Sequence, residues 1–458
     1  MRKKLTKQGY LDFGYASSLK VVRQYRKKYE EIGKLLEANP GILELAHRDL
    51  CKLSQSKKGR ESGYTSEQIL RAIVVLFLEG AAYREAVIQV ENSDFLRSFV
   101  KLGQKPMMDY SFVCKAFGVL SPETWKAMNQ ALGRYAKTEK KIRGEDLRLD
   151  TTAYEANIHY PTDSSLLWDG YRSLARLMKS VRREMSAAGL NHRFHLKKIK
   201  KLAFFISRNG SSPNKSKRRK VKSTYRVLIG RVRWIGEIGN LSAKALAHGG
   251  SLTAWSVAEE LEHYLPIVAK IINQAERRVI KGEKVPAAEK IYSLFEEHTE
   301  MIKRGKAAKP LEFGHKVLFA ESREKFIFHY EACRRQSADQ ELLEPTLLAH
   351  RKLFGMAPEL LATDKGFYQG PDQLEKLEKK ITTVSICKKG KRTAKEERRE
   401  NSEAFKEGQR FRAGCEGTIS VLKRAFKLGR CLFKGFRNYA ASVGCAVFCH
   451  NLVLLASP

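Results

Sequence analysis

The sequence predicts an α/β domain on a mixed central sheet, interrupted after its first strand by a large all-α insertion and preceded by an all-α region. Three observations lead there. Leu147, Leu149 and Thr151 alternate with Arg148, Asp150 and Thr152, the period-two pattern of a strand. Short β-rich runs return only after residue 310, at 315–320, 325–331, 359–363 and 381–387. Elsewhere apolar residues recur mainly at helical spacing.

In chain order, residues 1–55 read as a basic, amphipathic helical region, with Val21, Val22, Tyr25 and Tyr29, then Ile32, Leu35 and Leu36, on helical faces. Residues 54–63 are a polar linker. Thr65-Ser66-Glu67-Gln68 is a capping-box start ahead of Ile69, Leu70, Ile73, Val74, Phe77 and Leu78, and Gly80 ends that helix. Short helices follow at 83–90 and 94–102, and Ser121-Pro122-Glu123 opens another. This tight spacing over 64–137 is equally that of a helix-turn-helix DNA reader or of a plain bundle. After the strand at 147–152, Asp163 or Ser164 is the expected N-cap of a helical stretch of about 145 residues. Its helices around 257–280 and 287–302 read as amphipathic. Beyond the later strands, 342–353 is helical, 388–399 is a charged segment expected to be mobile, and a helix runs from about 405 to 426.

The 458 residues suggest about three domains at roughly 150 residues each. A hydrophobic content of 43% excludes wholesale disorder. The 86 Lys+Arg against 50 Asp+Glu give a net charge of +36, uncharacteristic of a metabolic enzyme and expected of a protein that works on phosphodiester backbone. Charge alone does not choose among DNA, RNA and an anionic membrane. It is also uneven: 185–236 holds no acid, and 193–233 holds 15 Lys/Arg, including Lys217-Arg218-Arg219-Lys220, a phosphate-binding tract. No apolar run follows Met1-Arg2-Lys3-Lys4, and the longest apolar stretch, 443–456, contains His450 and Asn451 and is too short to span a bilayer. The eight cysteines form no C-x-x-C pair and read as reduced core residues of a cytosolic protein. Trp168, Trp234 and Trp255 read as core anchors, with base stacking the lesser alternative, and His159, His315 and His329 as packed or solvated residues. A P-loop, a G-x-G-x-x-G turn and H-E-x-x-H are absent from the sequence.

Three acids stand where an α/β site needs them. Asp150 lies on the first strand, Asp364 ends the fourth beside Gly366, and Glu416 sits mid-helix as the last acid in the chain. Any one of them alone is a salt-bridge partner by default. Together they suit phosphodiester chemistry, in which two Mg²⁺ roughly 3.5–4 Å apart clamp the attacking and leaving oxygens. Mg²⁺ takes oxygen ligands, so carboxylates rather than His or Cys are the donors it requires. Arg412, Glu416 and Lys423 share one helix face, with the spacing R-x3-E-x6-K.

That spacing is similar to the Y-x2-R-x3-E-x6-K signature of bacterial insertion-sequence transposases of the DDE type, with Gln409 where the signature has Tyr. Asp150-Thr151-Thr152, continuing to Asp163, resembles the family's first-Asp segment, and Thr363-Asp364-Lys365-Gly366 its second. The resemblance covers about residue 60 to the end. It implies an RNase H-like catalytic domain at 141–164 and 311–458, a helical DNA-binding domain at 56–140 and a basic helical insertion at 165–310, placed between the first and second strands. It implies that Asp150, Asp364 and Glu416 are the catalytic, metal-binding residues for two Mg²⁺, with Mn²⁺ able to substitute. Arg412 and Lys423 then contact DNA, as do Lys217, Arg218, Arg219 and Lys220. The implied activity is hydrolysis at transposon ends and transfer of the 3′-OH into target DNA. The implied partners are duplex terminal inverted repeats and target DNA, met by a homodimer in the bacterial cytoplasm at the nucleoid, with no membrane. The competing readings are a DNA-binding protein without catalysis and a structure-specific nuclease on the same fold.

Overall fold

The computed structural model describes residues 3–4, 18–53, 62–184, 192–247, 251–303, 310–334 and 337–457. Most of the expected linker at 54–63 lies outside them. Contacts divide the chain into two compact units, 156–313 and the remainder. The elements in order are α1 (Lys20–Ala38), α2 (Pro40–Leu50), α3 (Ser66–Leu78), α4 (Tyr83–Glu91), α5 (Asp94–Val100), α6 (Tyr110–Val119), α7 (Pro122–Thr138) and β1 (Asp146–Ala156). The second unit carries α8 (Asp163–Glu184), α9 (Leu196–Asn209), α10 (Lys215–Ala247), α11 (Leu252–Ala275) and β2 (Glu300–Lys303). The first resumes with β3 (Leu311–Glu321), β4 (Ile327–Ala332), α12 (Leu343–Phe354), β5 (Leu360–Thr363), α13 (Pro371–Glu378), β6 (Thr383–Ile386), α14 (Ala394–Asn401), α15 (Glu403–Ala425), β7 (Arg430–Cys431) and α16 (Gly435–Ala456).

In the first unit the sheet runs β4-β3-β1-β5-β6, with β7 on β1. β3 is antiparallel to β1 and β4 antiparallel to β3, whereas β5 and β6 run parallel to β1. The two parallel strands put the C-terminal ends of β1 and β5 at the same edge. Helix starts follow the chemistry read from the sequence. Thr65 and Gln68 make the reciprocal capping box of α3, and Ser121 caps α7 with Pro122 at its first turn.

The sequence separates 1–55 and 56–140 from the sheet, but α1–α7 have no core of their own. Tyr29, Ile32, Ile73, Phe77, Trp125 and Leu132 join one apolar cluster with Leu149, Phe319 and the residues of α16. Trp125, fully buried, is the tryptophan anchor of this unit. By length and composition α16 could cross a membrane, yet 83% of its most apolar window is buried inside the protein. It is the central core helix, and its polar residues have work there. Asn451 Nδ2 donates to Ile327 O (2.9 Å) and its Oδ1 accepts Ile327 N (3.1 Å), pairing the end of β4 as a neighbouring strand would.

The second unit is a helical bundle, with Tyr171, Leu174, Met178, Leu228, Val232, Ile235, Leu261, Val268 and Ile271 in its core. Four expectations change. Asp163 is no N-cap. It is the first residue of α8, where it accepts Gln274 Nε2 (2.9 Å) and Arg278 Nη1 (2.8 Å), while Thr162 Oγ1 accepts the Ser165 amide. Residues 287–302 are not a helix. A single 3₁₀ turn (Ala287–Glu289) leads to an irregular, turning segment ahead of β2, in which Ser293 Oγ accepts the amides of Phe295 and Glu296 and Leu294 is buried. Turn packing therefore imitated a helical pattern. Trp255 is 63% exposed and anchors no core, whereas Trp168 and Trp234 pack, half-buried, against the core of the bundle. Among the cysteines, Cys51 and Cys114 are exposed and Cys387 is half-buried, so the core cysteines are the other five.

In the first unit, 388–399, expected to be a mobile charged segment, leads into a helix and pairs its charges with nearby acids. Thr393 and Glu396 form a capping box for α14, Lys388 pairs with Glu396 (2.6 Å) and Arg392 with Glu400 (2.8 Å).

Removing a buried amide leaves backbone donors and acceptors unpaired. Asn451→Ala is expected to lower unfolding stability by at least about 2 kcal/mol in denaturant titration. An unchanged midpoint would show that Asn451 does not support β4.

Candidate active site

The site is assembled from β1, the end of β5 and α15. Arg148 and Asp150 lie two residues apart on β1 and share a face. Arg148 is buried, as is Glu321 opposite it on β3, and its Nε donates to Glu321 Oε1 at 2.7 Å. Its Nη1 donates to Phe411 O (2.7 Å), and its guanidinium lies 4.7 Å from the Phe411 ring centroid. Arg148 thus ties two strands to α15.

Helix α15 can come that close because two of its three glycines stand where a side chain would clash. A Cβ on Gly408 would fall 2.5 Å from Ser385 Cβ, and one on Gly414 would overlap Arg148 Nη1. Between them Gln409 Nε2 donates to Ser385 O (2.8 Å), Ser385 Oγ (3.0 Å) and Thr363 O (3.3 Å). Gln409 stands at the Tyr position of the resembled signature. Here it grips the ends of β5 and β6, one residue short of Asp364.

This docking gathers the acids. Asp150 Oδ1 accepts the Thr151 amide (2.7 Å). Arg412, on α15 itself, lies between Asp150 of β1 and Glu416 one turn along its own helix, with Nη1 3.4 Å from Asp150 Oδ2 and Nη2 3.5 Å from Glu416 Oε1. Asp364 Oδ1 accepts the Gly366 amide at 2.7 Å and caps a short 3₁₀ turn. Burial pushes the Asp150 carboxyl up to about 6, with the charges of Asp364 and Glu416 adding to the rise and Thr151 and Arg412 opposing it. Glu416 itself is 70% exposed. Lys423 lies two turns further along α15, half-buried. Lys217, Arg218, Arg219 and Lys220 sit exposed on the first turns of α10, in the second unit.

A fourth carboxylate stands here without a signal in the sequence pattern. Asp339 Oδ1 accepts Lys316 Nζ (2.8 Å) and Thr151 Oγ1 (3.3 Å). A Cβ on Gly366 would lie 2.6 Å from Asp339 Oδ2 and 2.7 Å from Asp364 Oδ1, so only glycine lets both carboxylates crowd this turn. The adjacent Gln340 donates to Tyr368 O at 2.6 Å and braces the same loop. Asp339 precedes an ordinary helix start, and only the pairing of β1 with β3 brings it to Thr151.

Among the described residues no three His, Cys, Asp or Glu side chains are closed around a single metal position. The donor chemistry nevertheless fits a hard divalent cation: carboxylates from separate elements act on half-buried Asp150, and the repulsion they add there is what such a cation relieves.

Residues 296–452 match the family model described as the transposase DDE domain. No curated protein and no solved structure matches the chain. The matched span includes Asp364, Arg412, Glu416 and Lys423; Asp150 lies before it.

Two glycines of α15 separate docking from helix propensity. Gly414→Ala is expected to destabilise by about 1–3 kcal/mol, because its methyl must displace Arg148. Gly417→Ala, where a Cβ meets nothing within 4 Å, should be neutral or stabilise by up to about 1 kcal/mol. Equal effects in parallel denaturant titrations would contradict the close docking of α15.

Proposed function

We propose that this chain, with its transposase DDE domain match over 296–452, is a DNA transposase of the branch marked by Y-x2-R-x3-E-x6-K. The observation that carries the reading is the convergence on Asp150 of β1 of the charges of Asp364, at the end of β5, and Glu416 of α15, with Arg412 between Asp150 and Glu416. The strand order β4-β3-β1-β5-β6, with only β3 reversed relative to its neighbours β1 and β4, supports an RNase H-like catalytic domain.

In this reading Asp150, Asp364 and Glu416 would hold two Mg²⁺, or Mn²⁺ in their place. Bound there, divalent ions lower the cost of charge on the attacking and leaving oxygens and favour an attacking hydroxide. The chain's own groups do the rest. The contacts of Arg412 to Asp150 and Glu416 are long for charge-assisted hydrogen bonds, so a DNA phosphate competes for its guanidinium and releases both carboxylates. Lys423, on the same face of α15, holds a neighbouring phosphate as a point charge. Water attacks phosphorus at the transposon end, the P–O3′ bond breaks and the leaving oxygen takes a proton as a 3′-OH. That 3′-OH then attacks a target phosphodiester in line, exchanging one P–O bond for another without a covalent protein intermediate.

The terminal repeats are read by the helical region before β1. Helix α3 is buried over nearly its whole length and is unsuited to enter a groove, whereas α4 exposes Arg84, Ile88 and Gln89. Pairing of two ends calls for a homodimer, working on DNA in the cytoplasm at the nucleoid.

The test uses purified protein, Mg²⁺ and duplexes carrying the repeats that flank its gene. Asp150→Asn, Asp364→Asn and Glu416→Gln should each lower strand cleavage by about 10³-fold or more, the equivalent of several kcal/mol of lost charge stabilisation. DNA affinity should stay within about threefold, since phosphate contacts supply most of it. Cleavage that survives Asp150→Asn overturns the site, and nicking without joining of the 3′-OH to target favours a nuclease.

A further inference from the structure

The helical unit carries a surface that the catalytic chemistry does not use. All 15 Lys/Arg of 193–233 are exposed, on α9, α10 and the segments flanking α9. Among the described residues only one of them, Arg233, has a carboxylate partner, Glu276. Exposed cations on an ordinary solvated face are interspersed with acids that offset them. Here the acids are elsewhere in the unit: Glu259, Glu260 and Glu262 are exposed on α11. The unit is therefore charge-segregated, basic on α9 and α10 and acidic on α11.

The basic residues also form stripes. Lys197, Lys201, Phe204 and Arg208 recur along one face of α9, with Phe204 56% exposed and the Arg208 guanidinium 4.5 Å from its ring centroid. Lys215, Arg219, Lys222, Arg226 and Arg233 recur along one face of α10, opposite the buried Val221, Leu228, Val232 and Ile235. From 215 to 233 that stripe rises about 27 Å at 1.5 Å per residue, close to the roughly 34 Å turn of B-DNA. Side-chain amides that could read base edges are committed locally. Asn209 donates to Phe205 O (2.8 Å), and Asn214 Oδ1 accepts the amides of Ser216 (2.9 Å) and Lys217 (3.2 Å).

We infer that the α9–α10 face of the helical unit holds duplex DNA by its phosphates, without reading sequence. The choice of DNA as the polyanion rests on the transposase reading; the surface itself does not. Such a grip suits the target duplex, whose sequence the active site must accept as it comes.

The full-length protein is titrated in EDTA, so that cutting does not enter, against several unrelated 30-base-pair duplexes over a range of salt. Each phosphate contact contributes about 0.9 to the slope of log K against log salt. Arg219→Gln/Lys222→Gln/Arg226→Gln should therefore lower the slope by about 2–3 and the affinity by at least about tenfold at 0.1 M salt. Lys197→Gln/Lys201→Gln/Arg208→Gln should do the same, equally on every duplex, and the single Arg219→Gln should lower the slope by about 1. Unchanged melting temperatures verify that the variants fold. Unchanged slopes would leave the face merely solvated and overturn the inference. Losses confined to one sequence, or tighter binding of RNA or of an acidic polypeptide than of duplex DNA, would also overturn it. A wild-type chain that binds every duplex in this way but cuts none contradicts the proposed reaction and leaves this surface standing.

Discussion

The candidate site depends on how closely α15 approaches the sheet, and a buried arginine sets that distance. Arg148 leaves β1, pairs with Glu321 on β3 and donates onward to the Phe411 carbonyl in α15. A buried charge is costly unless it is paired and hydrogen-bonded. The guanidinium therefore fixes three elements at once, and any side chain at 414 would evict it. Gln409 adds a second grip at the ends of β5 and β6. Two residues after Arg148 comes Asp150, and one residue after the Thr363 carbonyl comes Asp364. The distances among the acids are thus inherited from a docking made one layer beneath them.

That docking gathers like charges where water is partly excluded. Asp150 answers with a raised carboxyl, and Arg412 lies between it and Glu416 without binding either tightly. Such an arrangement is poorly satisfied by the protein alone. It is suited to exchange internal pairing for a phosphate on Arg412 and cations on the acids. Asp339 is held differently, by Lys316 and Thr151, and keeps the Asp364 turn crowded from the other side.

Much of this was legible in the sequence where local rules dominate. Alternation located β1, the capping box located α3, and helical spacing put Arg412, Glu416 and Lys423 on one face of what proved to be α15. What failed depended on partners that no local pattern names. Asp163 has the composition of an N-cap, but Gln274 and Arg278, more than a hundred positions on, claim its carboxylate. The 388–399 segment looks mobile until Lys388, Glu396, Arg392 and Glu400 are seen to pair. Asp339 and Gln409 sit in no periodic pattern, and only strand pairing and helix docking bring them to the site. The helical region before β1 looked separable because its pattern is self-sufficient, yet its apolar faces are completed by α16 from the far end of the chain.

The most direct test of the account is anomalous diffraction from crystals of the protein grown with Mn²⁺ and a terminal-repeat duplex. Mn²⁺ peaks are expected bonded to carboxylate oxygens of Asp150 and Asp364, with Glu416 turned toward one of them and Arg412 moved onto a DNA phosphate. Peaks at other carboxylates, or none at these three under conditions that support cleavage, would contradict it.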